Sequence, residues 1–448
     1  MKKIRLIVVL LFCFSAIHAQ KLWTLEECIQ YATDNNITIK QIQIQKENAE
    51  INLNTSQMSR LPDLNAGMGQ NWSFGRTQMA SGLYENQSQS NTSLSVNSSM
   101  PLFTGFRISN EIARNKLNLQ AATENLAKAK EDLALRIASL FLQVLFDKEI
   151  SRVNQEQLLL SQTQMTKTRS MVEAGKVPQS QLYDIEAQAA KDEVSVIQAK
   201  NNLALALLDL AQSLELQNQT GFDVYAPEIN DVISEYMSSV QPPQIIYNNA
   251  LNVKPVIKAQ EYNMQSAEKA LNIAKSGYLP SLNLNLNYGT NYFYRYNLPD
   301  NDPLQKNISL SNQFRNNASE YIGLSLNIPI FNRFSVRNQV RNAQLNINSQ
   351  QLELDNVKKT LYKEIQTAYL NATAAQEKYR SSDKAVKAAA ESFKYAQERY
   401  EVGKSSVFEF NEAKTKLVQS QSEQIQAKYD YIFRTKILDF YNGVPLGL

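Results

Sequence analysis

Histidine and cysteine are almost absent from this sequence. Its 448 residues include one histidine, His18, and two cysteines, Cys13 and Cys28. The first 19 residues hold His18 and Cys13, and their basic start and apolar stretch from Leu6 to Phe14 are typical of a secretory signal peptide. Without that segment the chain has no histidine and a lone Cys28, which we expect to be a packed small apolar residue. An internal disulfide, a Ser-His-Asp triad and an imidazole zinc site are therefore excluded.

Charge of one sign is not in excess either. There are 46 basic and 43 acidic residues, and the three additional basic residues lie in the predicted signal peptide. A balanced chain lacks the basic face of a nucleic-acid-binding protein, so we expect no nucleic-acid partner. After the signal peptide, no apolar run approaches the ~18 residues of a membrane-spanning helix. The protein is therefore either soluble or crosses a membrane as β-strands.

Glycine and proline are scarce and clustered. There are 13 Gly and 12 Pro, about half of the ~12% average share. Neither residue occurs in four spans, which are 106–174, 179–220, 330–402 and 404–442. Because nothing in these spans forces a helix to end, we predict four long helices, the two longest roughly 100 Å in length. Helices of that length are not typical of a compact globular domain.

The second half of the sequence repeats the first. An offset of 218 matches the start of each half, and an offset of 228 matches the rest over ~70 residues without a slip. We therefore predict one domain over 20–448, made of two repeats at 23–217 and 245–441 with a linker at 218–244. The matched pairs include Leu61-Pro62 with Leu279-Pro280, Pro101 with Pro329, and Gly175 with Gly403.

Each repeat contains a long helix, a glycine turn and a returning helix. Gly175 and Gly403 follow the long helices as residues expected to adopt positive φ. A capping box, Thr24-Leu25-Glu26-Glu27, begins a shorter helix in the first repeat. The first long helix has an apolar residue every seven positions, which predicts a coiled-coil seam. Its members are Ile112, Leu119, Leu126, Leu133 and Leu140.

Two segments in each repeat alternate apolar and polar residues. They predict strands at about 61–74, 91–103, 279–294 and 319–331, with polar loops at 75–90 and 295–319. A half-buried sheet of a soluble domain has the same alternation. Strands of about 11–13 residues, however, match tilted strands that cross ~30 Å of hydrocarbon, which favours a membrane barrel.

Aromatic residues near the strand ends are candidates for a membrane-interface girdle. These are Trp72, Phe74, Tyr288, Tyr292 and Tyr294. Four strands cannot close a barrel, and an open sheet edge in lipid would leave backbone groups unpaired. The strand count therefore predicts an oligomer, and three chains would supply twelve strands.

Short motifs stand at the ends of these elements. They are Leu25-Glu26-Glu27 with Ala32, Leu61-Pro62, Leu279-Pro280, Met100-Pro101-Leu102-Phe103, Ile328-Pro329-Ile330-Phe331 and Tyr400-Glu401-Val402-Gly403. In this order the motifs resemble those of TolC-like outer membrane efflux proteins over essentially the whole mature chain. The resemblance implies a mixed α/β membrane protein, a homotrimer with a long α-helical barrel in the periplasm and a transmembrane β-barrel in outer-membrane lipid. It also implies a periplasmic adaptor protein and an inner-membrane transporter as partners, with no cofactor and no enzymatic activity.

The resemblance assigns acidic residues to the periplasmic entrance of the channel. The equivalent positions here are Asp184, Glu409 and Glu412, and Gln181 stands where a fourth carboxylate is usual. Carboxylates from three chains would repel one another and attract a cation or a substrate amine. Composition alone favours the alternative that these charges belong to solvated helix faces.

The turns between the paired helices resemble the adaptor-docking tips of the family. Their residues are Ala174, Gly175, Lys176, Val402, Gly403 and Lys404. The simpler interpretation is that each glycine only caps its helix, and both can hold because the turn is exposed. Gly403-Lys404-Ser405 also matches the end of a phosphate-binding loop, but Glu398 replaces the first glycine and no strand precedes it.

The function implied is a passive exit duct of a tripartite efflux or type I secretion system. A protein-secretion duct of the same architecture is one alternative. The other is a periplasmic coiled-coil adaptor or scaffold without a membrane barrel. An adaptor would have a single helical hairpin and a lipoyl-like domain, whereas this sequence predicts two hairpins and paired strands.

Overall fold

A computed structural model describes residues 22–78, 82–219, 221–227, 241–296 and 309–447. The predicted signal peptide at 1–19 lies outside these residues, as do most of the linker at 218–244 and parts of the predicted loops at 75–90 and 295–319. None of the helices in the described part of the chain combines the length and the hydropathy that a membrane span requires.

The described residues form mostly helices, with one four-stranded sheet. The helices are α1 (Leu25–Asn35), α2 (Ile37–Met58), α3 (Arg107–Glu173), α4 (Gln179–Ser213), α5 (Pro243–Val253), α6 (Pro255–Ser276), α7 (Leu310–Asn316), α8 (Ser335–Glu401) and α9 (Val407–Tyr441). The strands are β1 (Leu22–Trp23), β2 (Asn65–Gln78), β3 (Tyr84–Phe103), β4 (Asp223–Val224), β5 (Ser281–Arg295) and β6 (Ser319–Asn327).

The four long helices occupy the four spans that lack glycine and proline. The two longest, α3 and α8, have 67 residues each, and the returning helices α4 and α9 have 35 each. Gly175 has φ 66° and Gly403 has φ 71°, so both adopt the left-handed conformation that the sequence predicts. The capping box is also confirmed, because Thr24 and Glu27 exchange side chain to backbone hydrogen bonds of 3.2 and 3.3 Å.

The chain divides into two compact units. The first consists of the chain up to Gln45 together with Thr123–Lys258 and Asp355–Leu448, and the second of Lys46–Ala122 with Ala259–Leu354. The first unit is helical apart from the short parallel pair β1 and β4. Its largest apolar cluster contains Ile137, Phe141, Leu145, Leu210 and Tyr431, all almost completely buried, and the lone Cys28 is packed there as expected.

The second unit contains an antiparallel sheet in the order β2-β3-β5-β6. Residues paired across strands share a face, so the register shows which side chains lie together. Gly67, Ser95, Gly289 and Ser319 form one such row on the polar face. Apolar side chains of the opposite face are strongly exposed, and Ile322 is an example with 77% of its surface accessible.

Strand bounds differ from the prediction at proline and in the first hairpin. The strands β2 and β5 begin after Pro62 and Pro280, and β6 ends at Asn327 before Pro329, because proline has no N–H to donate to a ladder. The predicted loop at 75–90 is largely a hairpin, since β3 begins at Tyr84 and pairs with β2 as far as Gln78. Its polar residues pair through the backbone, which an apolar alternation pattern does not detect.

Candidate functional site

The returning helices α4 and α9 line a groove close to the two glycine turns. Its volume is about 650 Å³, and it is bounded by Asp184, Gln188, Val407, Phe408, Asn411, Glu412, Thr415, Lys416 and Gln419. We call it the acidic groove, because Asp184 and Glu412 from different helices both face it. The structure therefore brings together two of the three acidic residues proposed from sequence. Phe408 adds an exposed aromatic ring to the same groove.

Glu409 does not line the acidic groove. Its carboxylate accepts a hydrogen bond from Ser405 Oγ and lies 3.8 Å from the Arg399 guanidinium. Ser406 caps α9 by accepting a hydrogen bond of 3.2 Å from the Glu409 backbone N–H. In the first turn of a helix a carboxylate interacts favourably with the unpaired N–H groups, so Glu409 stabilises the start of α9.

Each glycine turn is a Schellman motif with exposed residues. After α3, the N–H of Gly175 bonds to Val172 and that of Lys176 to Met171, at 2.9 Å each. After α8 the same two bonds form from Gly403 and Lys404. All six residues proposed for docking, Ala174, Gly175, Lys176, Val402, Gly403 and Lys404, are exposed in this chain. A Cβ added at either glycine would meet no atom within 4 Å.

A buried polar cluster lies farther along the same helices. Lys414 of α9 forms an ion pair with Asp192 of α4 and hydrogen bonds with Ser161 and the carbonyl of Gln157, both on α3. Gln188 donates a hydrogen bond of 2.8 Å to the other oxygen of Asp192. Lys414 thus donates to Asp192, to Ser161 and to the Gln157 carbonyl, and these three acceptors satisfy its ammonium group, so the charge can be buried.

Sequence reasoning missed this cluster, although α9 carries a signal for it. Val407, Phe410 and Leu417 are buried at helical spacing, and Lys414 occupies the position between Phe410 and Leu417 on the same stripe. A charged residue within an apolar stripe is the expected sign of a buried, paired side chain.

The aromatic residues proposed for a membrane interface do not all lie together. Trp72 and Tyr294 are level with each other through Ser90, and Phe74 and Tyr292 are two residues away on their strands. Tyr288 shares their face but is level with Val96, six residues from Tyr294, which is roughly 20 Å along the strand. Four of the five therefore form one band at one end of the sheet.

In the part of the chain that the structure describes, no group of three or more His, Cys, Asp and Glu side chains is placed to hold a metal ion.

Comparison with known proteins identifies the family. The family model described as outer membrane efflux protein matches residues 28–215 and 246–439. The chain belongs to this family. Outer membrane efflux proteins are channels rather than enzymes, and the family matches both halves of the chain.

Relatives and solved structures agree with this assignment. The chain is 21% identical over 411 residues to outer membrane protein TolC of Salmonella enteritidis, covering 91% of this chain and 79% of that protein. It is 20% identical over 334 residues to outer membrane efflux protein BepC of Brucella suis, covering 74% and 67%. Its fold is similar to that of CusC, with a TM-score of 0.76, 16% identity and 96% of each chain covered. The CmeC outer membrane channel of Campylobacter jejuni gives 0.74 at 17% identity, with 94% and 86% covered.

Proposed function

We propose that this outer membrane efflux protein is the passive exit duct of an export system, closed as a homotrimer in the outer membrane. The observation that carries the proposal is the open sheet with one apolar and one polar face. Its two edge strands, β2 and β6, each pair on one side only within the described residues. Paired with further copies, the sheet would close into a barrel with its apolar face toward lipid and its polar face toward water.

The stagger of the sheet supports closure at a membrane-barrel tilt. Asn65, the first residue of β2, is level with Tyr321 through Asn97 and Asn287, and β6 continues six residues farther to Asn327. Six residues amount to ~20 Å along the strands, and four strands are ~19 Å wide. If every copy sits at the same height in the barrel, the strands must therefore tilt by roughly 45° from the barrel axis. Membrane barrels have strand tilts of about 35–45°.

The polar face supports an aqueous path that does not select by charge. Its rows consist of glycine, serine and asparagine over most of the sheet, with Glu85 and Arg295 only at the end that carries the aromatic band. Charge selection would then belong to the acidic groove, where three copies bring Asp184 and Glu412 to the periplasmic entrance. Adaptor and inner-membrane pump partners follow from the family, with the exposed glycine turns as the docking surface.

A matched pair of arginine variants tests the proposal. Leu324 lies on the apolar face of β6 and Ser325 on the polar face. Leu324→Arg should abolish assembly in the outer membrane, because arginine at the bilayer midplane costs about 2–4 kcal/mol in each copy. Ser325→Arg should still assemble as a trimer that conducts ions in planar bilayers. Equal tolerance of both variants, or purified protein that forms no pore, would contradict the duct.

A further inference from the structure

The sheet has two free edges of unequal length. The strand β2 has 14 residues and β6 has nine, and each pairs with only one neighbour within the described residues. An unpaired edge presents a row of N–H and C=O groups, which is a template for another strand. The two edges run antiparallel to each other, because each of the three ladders between them is antiparallel.

The short helix α7 closes the part of β5 that β6 does not reach. The strand β6 pairs with β5 only from Ser281 to Gly289. Beyond that point the Gln313 side chain accepts a hydrogen bond from the Phe293 N–H and donates one to the Phe293 carbonyl, both at 2.9 Å. Asn317 donates a third, of 2.8 Å, to the Asn291 carbonyl. These amides take the place of a strand, so the free edge available to another copy ends at Ser319.

We propose a specific seam between copies, in which β2 of one copy pairs with β6 of a second copy with Asn65 opposite Asn327 and Ser73 opposite Ser319. The C-terminal end of β2, residues 75–78, then lies against α7 of that second copy. The seam rests on the proposed function, because it assigns the contact that closes the barrel.

Continuity of the two faces restricts the register. Odd-numbered residues of both strands lie on the polar face, as the row through Gly67 and Ser319 shows. Since a slip of one residue would turn every side chain to the other face, only registers that pair odd with odd residues are allowed. In the proposed register Met68 faces Leu324 and Ala66 faces Leu326 on the apolar side.

The ends of the two strands select among the remaining registers. The strand β2 starts three residues after Pro62 and β6 ends two residues before Pro329, so both join their helices on the same side of the sheet. Setting these ends level pairs Asn65 with Asn327 and gives the tilt of roughly 45°. It also leaves 75–78 beyond Ser319, where Asn317 and α7 follow.

Disulfide trapping tests the register in the full-length protein carrying Cys28→Ala. The variant Met68→Cys/Leu324→Cys should give covalently linked copies on oxidation in membranes. Met68→Cys/Ile322→Cys reports a slip of two residues and should link more weakly. Met68→Cys/Ser325→Cys places the thiols on opposite faces and should not link.

The outcomes separate the seam from the duct. Strongest linkage through Ile322→Cys, or linkage through Ser325→Cys as strong as through Leu324→Cys, would overturn the register while pores still form. If no pair links and the wild-type protein forms neither an oligomer nor a pore, the duct fails as well. For the α7 contact, a photoreactive residue at Gln78 should capture 309–317 of another copy, and capture of any other segment would overturn it.

Discussion

Lys414 of α9 and Asp192 of α4 form an ion pair in the interior of the helical unit, with side chains only 3% and 14% exposed. The pair joins α9 to both α3 and α4, because Lys414 also forms hydrogen bonds with Ser161 and Gln157 of α3. A buried charge without its partner is far more costly than an exposed one, so this pair constrains how α9 can move against α3 and α4.

Removing one partner should destabilise the protein strongly. We expect Lys414→Met alone, or Asp192→Asn alone, to lower the free energy of unfolding by about 3–5 kcal/mol, because each leaves the remaining polar groups uncompensated. The double variant Lys414→Met/Asp192→Leu should recover much of the loss. Urea unfolding followed by circular dichroism measures all three.

The exposed pair Lys128 and Asp132 is the control for that experiment. Its side chains are 44% and 57% exposed, and breaking it should cost about 0.5 kcal/mol or less. Equal losses at the two pairs would show that the interior pair has no special role.

Neutralising the acidic groove should weaken block by multivalent cations. With Asp184→Asn/Glu412→Gln, we expect the half-blocking concentration in single-channel recordings to rise by about tenfold, which is about 1.4 kcal/mol of lost attraction. Glu409→Gln should change it by less than about twofold, because that carboxylate interacts with Ser405 and Arg399 instead. If Glu409→Gln weakened the block as much as the double variant, the blocking cation would bind at Glu409 near the glycine turn rather than only in the acidic groove.

A bulky residue at Gly403 should abolish export without loss of assembly. The backbone there has φ 71°, so Gly403→Leu costs about 1–2 kcal/mol in conformation, but the added Cβ meets no atom within 4 Å. We expect trimers to persist in the outer membrane while export of the cognate substrate stops, because the added side chain would obstruct the adaptor docking that we propose at this turn. Gly175→Leu makes the matched change at the other tip.

A substitution at Gly105 is the control that shows the effect of a folding defect. A Cβ at Gly105 would lie 2.7 Å from Leu279 Cβ and 2.8 Å from the Ser276 carbonyl, so Gly105→Ala should reduce the amount of folded trimer. If Gly403→Leu supports full export, adaptor docking does not occur at that turn.

Stability should fall as the pH rises above about 10. Burial raises the pKa of Tyr429 and of Tyr441 above the usual value of 10.0. The nearby carboxylate of Glu149 raises the pKa of Tyr429 further, and that of Glu364 does the same for Tyr441. The unfolded chain loses these phenol protons at a lower pH than the folded chain, so the stability they contribute is lost as the pH rises through their folded-state pKa values.

The pH dependence of thermal unfolding midpoints checks this prediction. The variant Tyr429→Phe/Tyr441→Phe should show a shallower decline between pH 9.5 and the onset of backbone hydrolysis. Burial lowers the pKa of Lys254, which acts in the opposite direction by adding stability as the pH rises toward 10.5. A decline of the same slope in the double variant would assign the alkaline loss to other groups.

Local conformation follows directly from the residues present. The long helices correspond to spans without glycine or proline. Gly175 and Gly403 adopt positive φ at the helix ends, because the left-handed backbone conformation is strained for residues with a Cβ but not for glycine. Prolines mark where β2, β5 and β6 begin or end, since they cannot donate to a ladder. These are interactions between near neighbours in the chain, and a pattern of residue types is sufficient to predict them.

Positions that depend on distant segments could not be read in this way. Glu409 and Glu412 are three residues apart on one helix, yet Glu412 faces the acidic groove with Asp184 while Glu409 joins Ser405 and Arg399. Trp72 and Tyr294 belong to strands that are not adjacent, and only the pairing of both with Ser90 of β3 shows that they lie level with each other. Whether a side chain meets water, a charge or another helix is decided by packing between segments far apart in sequence.

By itself, therefore, the sequence determined the long helices, the core of each of the four long strands, the repeat and the family resemblance, because backbone propensity and apolar periodicity are local properties. The tertiary structure alone decided which charges meet, as with Lys414 and Asp192, more than 200 residues apart. It also decided where α7 ends the free edge of the sheet, since that depends on the Gln313 side chain reaching the backbone of Phe293, 20 residues earlier in the chain.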